Sequence, residues 1–417
     1  EFYIPHRFKE GYGLGKEGIQ NIANAGGNLI ITVDCGVTNY KEVELANSLG
    51  IDVIIIDHHQ IQVQLPNAVA ILNPHQKDCN FPFKHLAAVG VTFFLAIALR
   101  KHLREQGYFK KNQLIEPDLK EYLDLVALGT VADMVPLKGE NRKLVYHGIN
   151  QMKKTKWPGL IALIEISQIN SFYLESDDIG FKLGPRINAA GRLKDASVGI
   201  QLLTTDKHQL AFELASLLND TNTDRQSIDA RMVSDAIKKF EQDSDTDNNY
   251  GIVLNNEDWH PGVIGIVASR VSKQLNRPTI IIGKNGKGSG RSIGSVDLFE
   301  VVYECKETLQ NFGGHKAAVG LTIDQQKIDA FKIQFNQMLK NRLSQDDLEA
   351  SLYIDSTLDI QCIDHAFLDT VLSAGPFGTQ HSKPIFCAQN VTLSQVKVIQ
   401  DKHLSFQLAE NPQIRGI

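Results

Sequence analysis

Long apolar runs are missing from this sequence, and so is a charged start followed by an apolar stretch. Neither a membrane span nor a secretory leader is therefore expected. Cysteine is scarce. The five residues (Cys35, Cys79, Cys305, Cys362 and Cys387) are odd in number and widely spaced. They give no disulfide framework and no zinc cluster, and point to a reducing cytoplasm. An excess of positive charge is lacking too: the net charge is −5, so any nucleic-acid binding has to come from local basic patches. Internal repeats and low-complexity tracts are absent. What is present is an ordinary globular composition, 42% hydrophobic and 22% charged over 417 residues, long enough for two or three domains.

The informative stretch is IDVIIIDHH, residues 51–59. Its β-branched run reads as a strand buried on both faces, as in parallel sheets. It ends in Asp57, His58 and His59, a carboxylate and two imidazoles that suit a divalent metal. A polar strand exit is the alternative. A second apolar run, residues 29–33 of NLIITVDCG, also ends in an acid, Asp34. Ligands of open α/β sheets bind beyond the carboxyl ends of the strands. Two such strands, joined by a crossover helix over about residues 41–49, would bring Asp34 and residues 57–59 to one rim.

Further along, residues 68–72 form a short apolar run inside a loop, and helices are expected over residues 89–103 and 119–128. Asp133 follows in a loop closed by Pro136, where one Asp is usually a cap or turn residue. Residues 182–194 carry four basic residues and no acid, among small residues that permit close approach. A tightly packed turn is the alternative there. A long helix is expected over about residues 207–240, packed at its two ends and wet in its polar middle, followed by an acidic linker over residues 241–249. A second α/β unit spans residues 250–343. Between Trp259 and Val296 lie six basic residues and no acid, the footprint of a polyanion-binding face or else a solvated basic surface. In it, GKGSGRS offers flexible backbone amides, hydroxyls and a guanidinium for phosphate oxygens. Residues 351–417 alternate like the short strands of a small β-barrel.

Taken in order, YIPHRFKEGYGL, VDCG, IDHH, ALGTVADMVPL, GPRINAAGRL, WHPGVIGIVASR, GSGRS, FGGHKAAVGL and GPFG resemble the DHH phosphoesterase superfamily, and within it the RecJ-type single-strand-specific exonucleases. The resemblance covers nearly the whole chain. It implies an α/β fold: a parallel-sheet DHH domain (residues 1–150), a helical region with a long connecting helix (151–245), a smaller α/β DHHA1 domain (246–345) and a partial OB-type β-barrel (350–417). It implies two divalent ions, Mn2+ or Mg2+. Asp34 would bridge them, His58 and Asp133 would ligate one, Asp57 would sit beside that shell, and His59 would face the scissile phosphate. Ser289, Arg291 and Ser292 would hold the strand's terminal phosphate, and Gly313, Gly314 and His315 would clamp the substrate. Arg186 and Arg192 would line the nucleic-acid path.

The activity so implied is hydrolysis of single-stranded DNA from the 5′ end to mononucleotides, in repair and recombination. A monomer is expected, with a single-stranded-DNA-binding protein and a helicase as partners. Two other readings stand beside it: a DHH phosphodiesterase acting on short oligoribonucleotides or cyclic dinucleotides, and a non-catalytic nucleic-acid-binding scaffold. The family's aspartate-rich first motif precedes the segment matching residues 2–14. The sequence is therefore expected to be a fragment that holds one metal well and is weak or inactive by itself.

Overall fold

A computed structural model describes residues 1–6, 10–61, 64–242, 249–294, 296–399 and 403–417. Most of the expected acidic linker lies outside the described residues. The chain forms two compact units: residues 1–187, 197–216 and 353–417 make the first, and residues 188–196 and 217–352 the second.

The first unit opens with α1 (Lys16–Asn24), β1 (Leu29–Val33), α2 (Tyr40–Ser48), β2 (Asp52–Ile56) and β3 (Ala70–Leu72). The strands are parallel in the order β1-β2-β3. Ile19, Ile30, Val43, Ala46, Ile51, Val53 and Ile55 form the core between sheet and helices. Burying such side chains contributes about 1.5–3 kcal/mol each. The β2 strand is buried as its apolar run suggests. The outer strand β1 departs from that pattern, because Ile30 and Thr32 point inward while Leu29, Ile31 and Val33 are exposed. The run at residues 68–72, expected to be part of a loop, instead supplies β3.

The longer helices that follow are α3 (Ala88–Glu105), α4 (Leu123–Ala132) and α5 (Gly139–Met152). The helix expected over residues 119–128 is displaced. Residues Leu119–Tyr122 form a 3-10 turn, and α4 runs on to end at Asp133, its C-terminal cap. Met134, at φ 60°, turns the chain out of the helix.

Next come α6 (Gly184–Leu193) and the long helix α7 (His208–Glu241). The middle of α7 is wet on one side only, where Asp220, Asp224 and Gln226 are exposed. Thr221, Asn222 and Asp229 are buried in line with Leu218 and Met232, so polar residues continue the packed stripe.

In the second unit, α8 (Ile264–Leu275), α9 (Leu298–Glu304) and α10 (Ile328–Lys340) pack on a five-stranded sheet. The strands β4 (Ile252–Asn255), β5 (Thr279–Ile282), β6 (Lys287–Arg291), β7 (Leu309–His315) and β8 (Ala318–Ile323) lie in the order β4-β5-β6-β8-β7. Only β4 and β5 are parallel. Phe331 and Phe335 anchor one core, and Val263, Val267, Ala268 and Val271 meet Met232 and Ala236 of α7 in another. Two glycine-rich stretches are strands. GKGSGR forms β6, and FGGH runs through β7 into a hairpin with β8.

Residues 353–417 return to the first unit. A two-stranded pair, β9 (Ser356–Thr357) with β10 (Phe386–Cys387), accompanies an antiparallel sheet of β11 (Leu393–Ile399), β12 (His403–Leu408) and β13 (Arg415–Gly416). These sheets are not closed into a barrel. The GPFG turn packs against the start of α5. Leu137 N–H donates to Thr379 O at 2.8 Å, Ser176 Oγ to Phe377 O at 2.6 Å, and Arg142 Nη2 to the carbonyls of Ala374 (2.7 Å) and Gly375 (3.0 Å).

Candidate active site

The two acids reach one rim because the ladder outlasts the strands. Asp34 N–H donates to Ile56 O at 2.9 Å and Asp57 N–H to Leu72 O at 3.0 Å. Asp34 then leaves the sheet in the left-handed region, φ 64°, a conformation that aspartate tolerates better than most residues. Gly36 follows at φ 115°, where a Cβ would sit 2.7 Å from Thr32 Oγ1. The tight exit thus needs glycine, and Thr32 Oγ1 closes it by donating to Cys35 O at 2.8 Å.

Asp57 is 1% exposed and organises the rim from beneath. Its Oδ2 accepts from Val37 N–H at 3.1 Å, and its Oδ1 from the N–H groups of His58 (2.8 Å) and His59 (3.1 Å). His59 Nδ1 lies 2.7 Å from the same Oδ1. A carboxylate can only accept, so Nδ1 carries the proton and Nε2 is left for a ligand. That bond raises the His59 pKa against the effect of burial.

His58 Nε2 lies 3.1 Å from Asp34 Oδ1 and 3.4 Å from Asp133 Oδ2. It is buried and makes no hydrogen bond of acceptable alignment. Burial lowers the His58 pKa, but the Asp34 and Asp133 carboxylates outweigh it and the net direction is up. Burial likewise raises Asp133. An orphaned imidazole nitrogen between two carboxylates is a donor set that fits a divalent cation. Asp34, His58 and His59 offer ligand atoms all within 4.8 Å of one another. Asp133 joins them through His58.

Sequence reasoning missed Asn73, which is buried at the exit of β3. Its Nδ2 donates to His59 O at 2.9 Å, and its Oδ1 accepts from His75 N–H at 2.8 Å. The signal was there: residues 68–72 end in Asn-Pro-His, as the first two apolar runs end in Asp.

In the second unit, Ser289 and Arg291 sit together on β6. Arg291 Nη1 donates to Gly290 O at 2.7 Å and Ser289 Oγ at 3.2 Å, and burial lowers its pKa. The glycines beside them do not expose amides, because β6 is paired on both sides, with β5 and β8. A Cβ on Gly290 would come within 2.4 Å of Ile280 and 2.7 Å of Val319, so glycine is there for packing. Ser292 Oγ donates inward, to Val296 O at 2.8 Å. Gly313, Gly314 and His315 are exposed on β7, where His315 Nδ1 accepts from Ala317 N–H at 3.3 Å. Arg186, in the first unit, donates to Lys182 O at 2.8 Å, and Arg192, in the second, to Gly262 O at 3.4 Å.

Comparison with known proteins bears directly on this arrangement. Residues 1–130 match the DHH family N-terminal domain, residues 248–341 the DHHA1 domain and residues 354–417 the RecJ OB domain. The chain is 39% identical to the single-stranded-DNA-specific exonuclease RecJ of Escherichia coli, over 97% of this chain and 72% of that protein. The chain belongs to the RecJ family. The RecJ of Bacillus subtilis is 37% identical over 96% of this chain and 49% of its own length. The crystal structure of Thermus thermophilus RecJ in complex with Mn2+ superposes with a TM-score of 0.79 at 30% identity, covering 96% of this chain and 57% of that one. Both strand exits, with Asp34 and residues 57–59, fall inside the DHH match, while Asp133 lies just beyond it. Ser289 to His315 fall inside the DHHA1 match.

Proposed function

We propose that this RecJ-family chain is a metal-dependent exonuclease that degrades single-stranded DNA from its 5′ end to mononucleotides, in DNA repair and recombination. The observation that carries the reading is His58 Nε2, buried without a hydrogen bond between the carboxylates of Asp34 and Asp133. Asp34, His58 and Asp133 would hold Mn2+ or Mg2+, and two ions serve the complete enzyme. The chemistry such ions supply is activation of water and stabilisation of charge on the attacking and leaving oxygens of a phosphodiester.

The chain's own residues do the positioning. Asp57 holds His59 by Nδ1, so that Nε2 faces the scissile phosphate as the second imidazole of the rim. Ser289, Arg291 and Ser292 take the terminal phosphate, the guanidinium gripping two oxygens at once. Gly313, Gly314 and His315 clamp the strand, and Arg186 and Arg192 guide its backbone. Contacts to phosphate and sugar carry no sequence preference.

Five free cysteines fit a reducing compartment, and the cytoplasm is the proposed setting. Among the described residues no helix is long and apolar enough to cross a membrane. A helicase would generate the single strand and a single-stranded-DNA-binding protein would hold it, with this enzyme acting as a monomer.

Two measurements test the reading. Titration with Mn2+ should show affinity falling at least tenfold in His58→Ala. Digestion in manganese by the complete enzyme should yield mononucleotides from the 5′ end of a single strand and leave a duplex intact, while residues 1–417 alone should cut weakly or not at all. Release from 3′ ends, or equal attack on duplex, refutes the assignment. Tight metal and strand binding by the complete enzyme without any cleavage favours the non-catalytic scaffold.

A further inference from the structure

Two of the three acids at the rim are held by their own neighbours. Asp57 is pinned by four hydrogen bonds, and Asp34 by the ladder bond to Ile56 and the closed turn behind it. Asp133 is held differently. Among the described residues nothing donates to its carboxylate, which stands 3.4 Å from His58 Nε2. Where that carboxylate lies is therefore decided by its backbone: by where α4 stops and how the loop behind it runs.

The loop has one local support, Asn141 Nδ2 donating to Pro136 O at 3.1 Å. Its other support comes from the GPFG turn. Leu137 N–H donates to Thr379 O at 2.8 Å. The Leu137 side chain is buried, and a Cβ on Gly378 would sit 2.7 Å from its Cδ1. In the first turn of α5, Arg142 Nη2 grips the carbonyls of Ala374 and Gly375 together, 232 and 233 residues away in sequence.

The same turn reaches the segment on the other side of Asp133. Ser176 Oγ donates to Phe377 O at 2.6 Å, and Lys383 pairs with Glu175 (3.3 Å) and Asp177 (2.7 Å) on either side of that serine. Three residues after Ser176 the chain makes one π-helical turn, Ile179–Leu183. Gly180 and Gly184 there lie against Val131 and Ala132, the last two residues before Asp133; a Cβ on either would meet them at 3.5 and 3.2 Å. Glycine permits that close approach.

The GPFG turn is stiff enough to serve as a brace. Gly378 and His381 exchange N–H···O bonds of 2.9 and 3.0 Å. His381 Nε2 lies 3.0 Å from Ala374 O, and the His381 ring stacks on the buried Phe377 ring at 5.4 Å. One closed turn is thus bonded to both segments that flank a single metal-binding acid.

We propose that the turn Ala374–Thr379 positions Asp133 for the metal, and that Arg142 is the positioning residue that ties the turn to the Asp133 loop. The proposal rests on the reading of Asp133 as a metal ligand. A carboxylate that must be ordered as the ion arrives costs affinity, and a brace that orders it beforehand removes that cost.

The test is Mn2+ binding to the whole chain, read from the electron paramagnetic resonance of free Mn2+, with hydrogen exchange at the Leu137 amide as a second readout. Removing a positive charge can by itself only favour a bound cation. Loss of positioning acts the other way, so Arg142→Gln should weaken Mn2+ binding about tenfold, the low end for groups that orient a ligand. Arg142→Lys keeps a donor for one of the two carbonyls and should recover most of the affinity. Gly378→Val presses on Leu137 without removing a donor and should weaken binding as well, so either variant decides if the other fails to fold. In both, the Leu137 amide should exchange faster. A purely structural role would lower the urea midpoint and leave the Mn2+ affinity of the folded chain unchanged; that result, or tighter binding by Arg142→Gln, overturns the proposal. Asp133→Ala keeps the two readings apart. If it leaves Mn2+ affinity unchanged, Asp133 is no ligand and the underlying reading fails. If it weakens binding and neither brace variant does, only the positioning role fails.

Discussion

Replacing Asp57 with asparagine probes the rim where it is most tightly built. The carboxylate accepts four hydrogen bonds, one at Oδ2 from Val37 N–H and three at Oδ1 from His58 N–H, His59 N–H and His59 Nδ1. Asparagine keeps one oxygen. With that oxygen in the Oδ1 position, its NH2 faces Val37 N–H, donor against donor, and a buried donor left unmet costs about 1–3 kcal/mol. The three remaining bonds lose their charge and fall to roughly half strength, a further loss of about 1–2 kcal/mol. Urea unfolding at neutral pH without metal should therefore show a deficit of about 2–5 kcal/mol. The deficit should also depend on pH. Burial pushes the Asp57 pKa up, but the hydrogen bonds from His59 and from the Val37 and His59 amides hold it below the ordinary carboxylate value. A lowered native pKa gives stability that is present above the unfolded-chain value, about 3.9, and is lost as pH falls through the native one. The gap between native protein and variant should be full above about pH 5 and close on acidification below about 3.9. A gap under about 0.5 kcal/mol at neutral pH, against the 1–3 of a single unmet donor, or a gap that persists unchanged in acid, refutes the reasoning.

Arg291→Ala removes a charge-assisted contact worth about 1.5–3 kcal/mol, so affinity for 5′-phosphorylated single strands should fall roughly ten- to hundredfold while 5′-hydroxyl strands are barely affected. Equal losses on both would show that Arg291 merely follows the backbone. Gly290→Val forces side-chain atoms into Ile280, Val319 and Leu298, and overpacking should lower stability in urea by about 1–3 kcal/mol; a neutral result would mean that the sheet can spread there. Asp34→Gly relieves the left-handed backbone at φ 64°, so the variant should be as stable as the native chain or more so. Its Mn2+ affinity should nevertheless drop at least tenfold, and affinity that survives would remove Asp34 from the metal site.

Much of the first sheet was legible because β-branched runs that end in acids have few other uses. Residues 29–33 and 52–56 became parallel neighbours, and the ladder carried Asp34 and Asp57 to the same rim. The third strand escaped because three residues are too few to show a period. Asp133 could be singled out only by resemblance, since its value lies in where α4 happens to stop. The glycines of GKGSGRS misled for a physical reason. The same residue serves a loop through its freedom and a strand through its lack of a Cβ, and only the neighbours Ile280, Leu298 and Val319 decide which. The middle of α7 misled in the opposite way. Polar side chains suggest water, yet Asn222 and Asp229 are buried, and Arg270, which pairs with Asp229, comes from another helix 41 residues (270 minus 229) along the chain.

The hydrogen bond from Leu137 to Thr379 has a consequence for how the enzyme is born. Asp133 stands in the loop that this bond braces, and its brace lies 242 residues (379 minus 137) further along the chain. A ribosome adding about 5–20 residues per second needs about 12–48 s to reach it. Through that interval the nascent chain already carries Asp34 and the DHH triplet, while the Asp133 loop is held only by nearer contacts such as Asn141 Nδ2 to Pro136 O at 3.1 Å. The loop that carries Asp133 thus gains its last brace late in synthesis, with the arrival of the GPFG segment rather than with the emergence of its own domain.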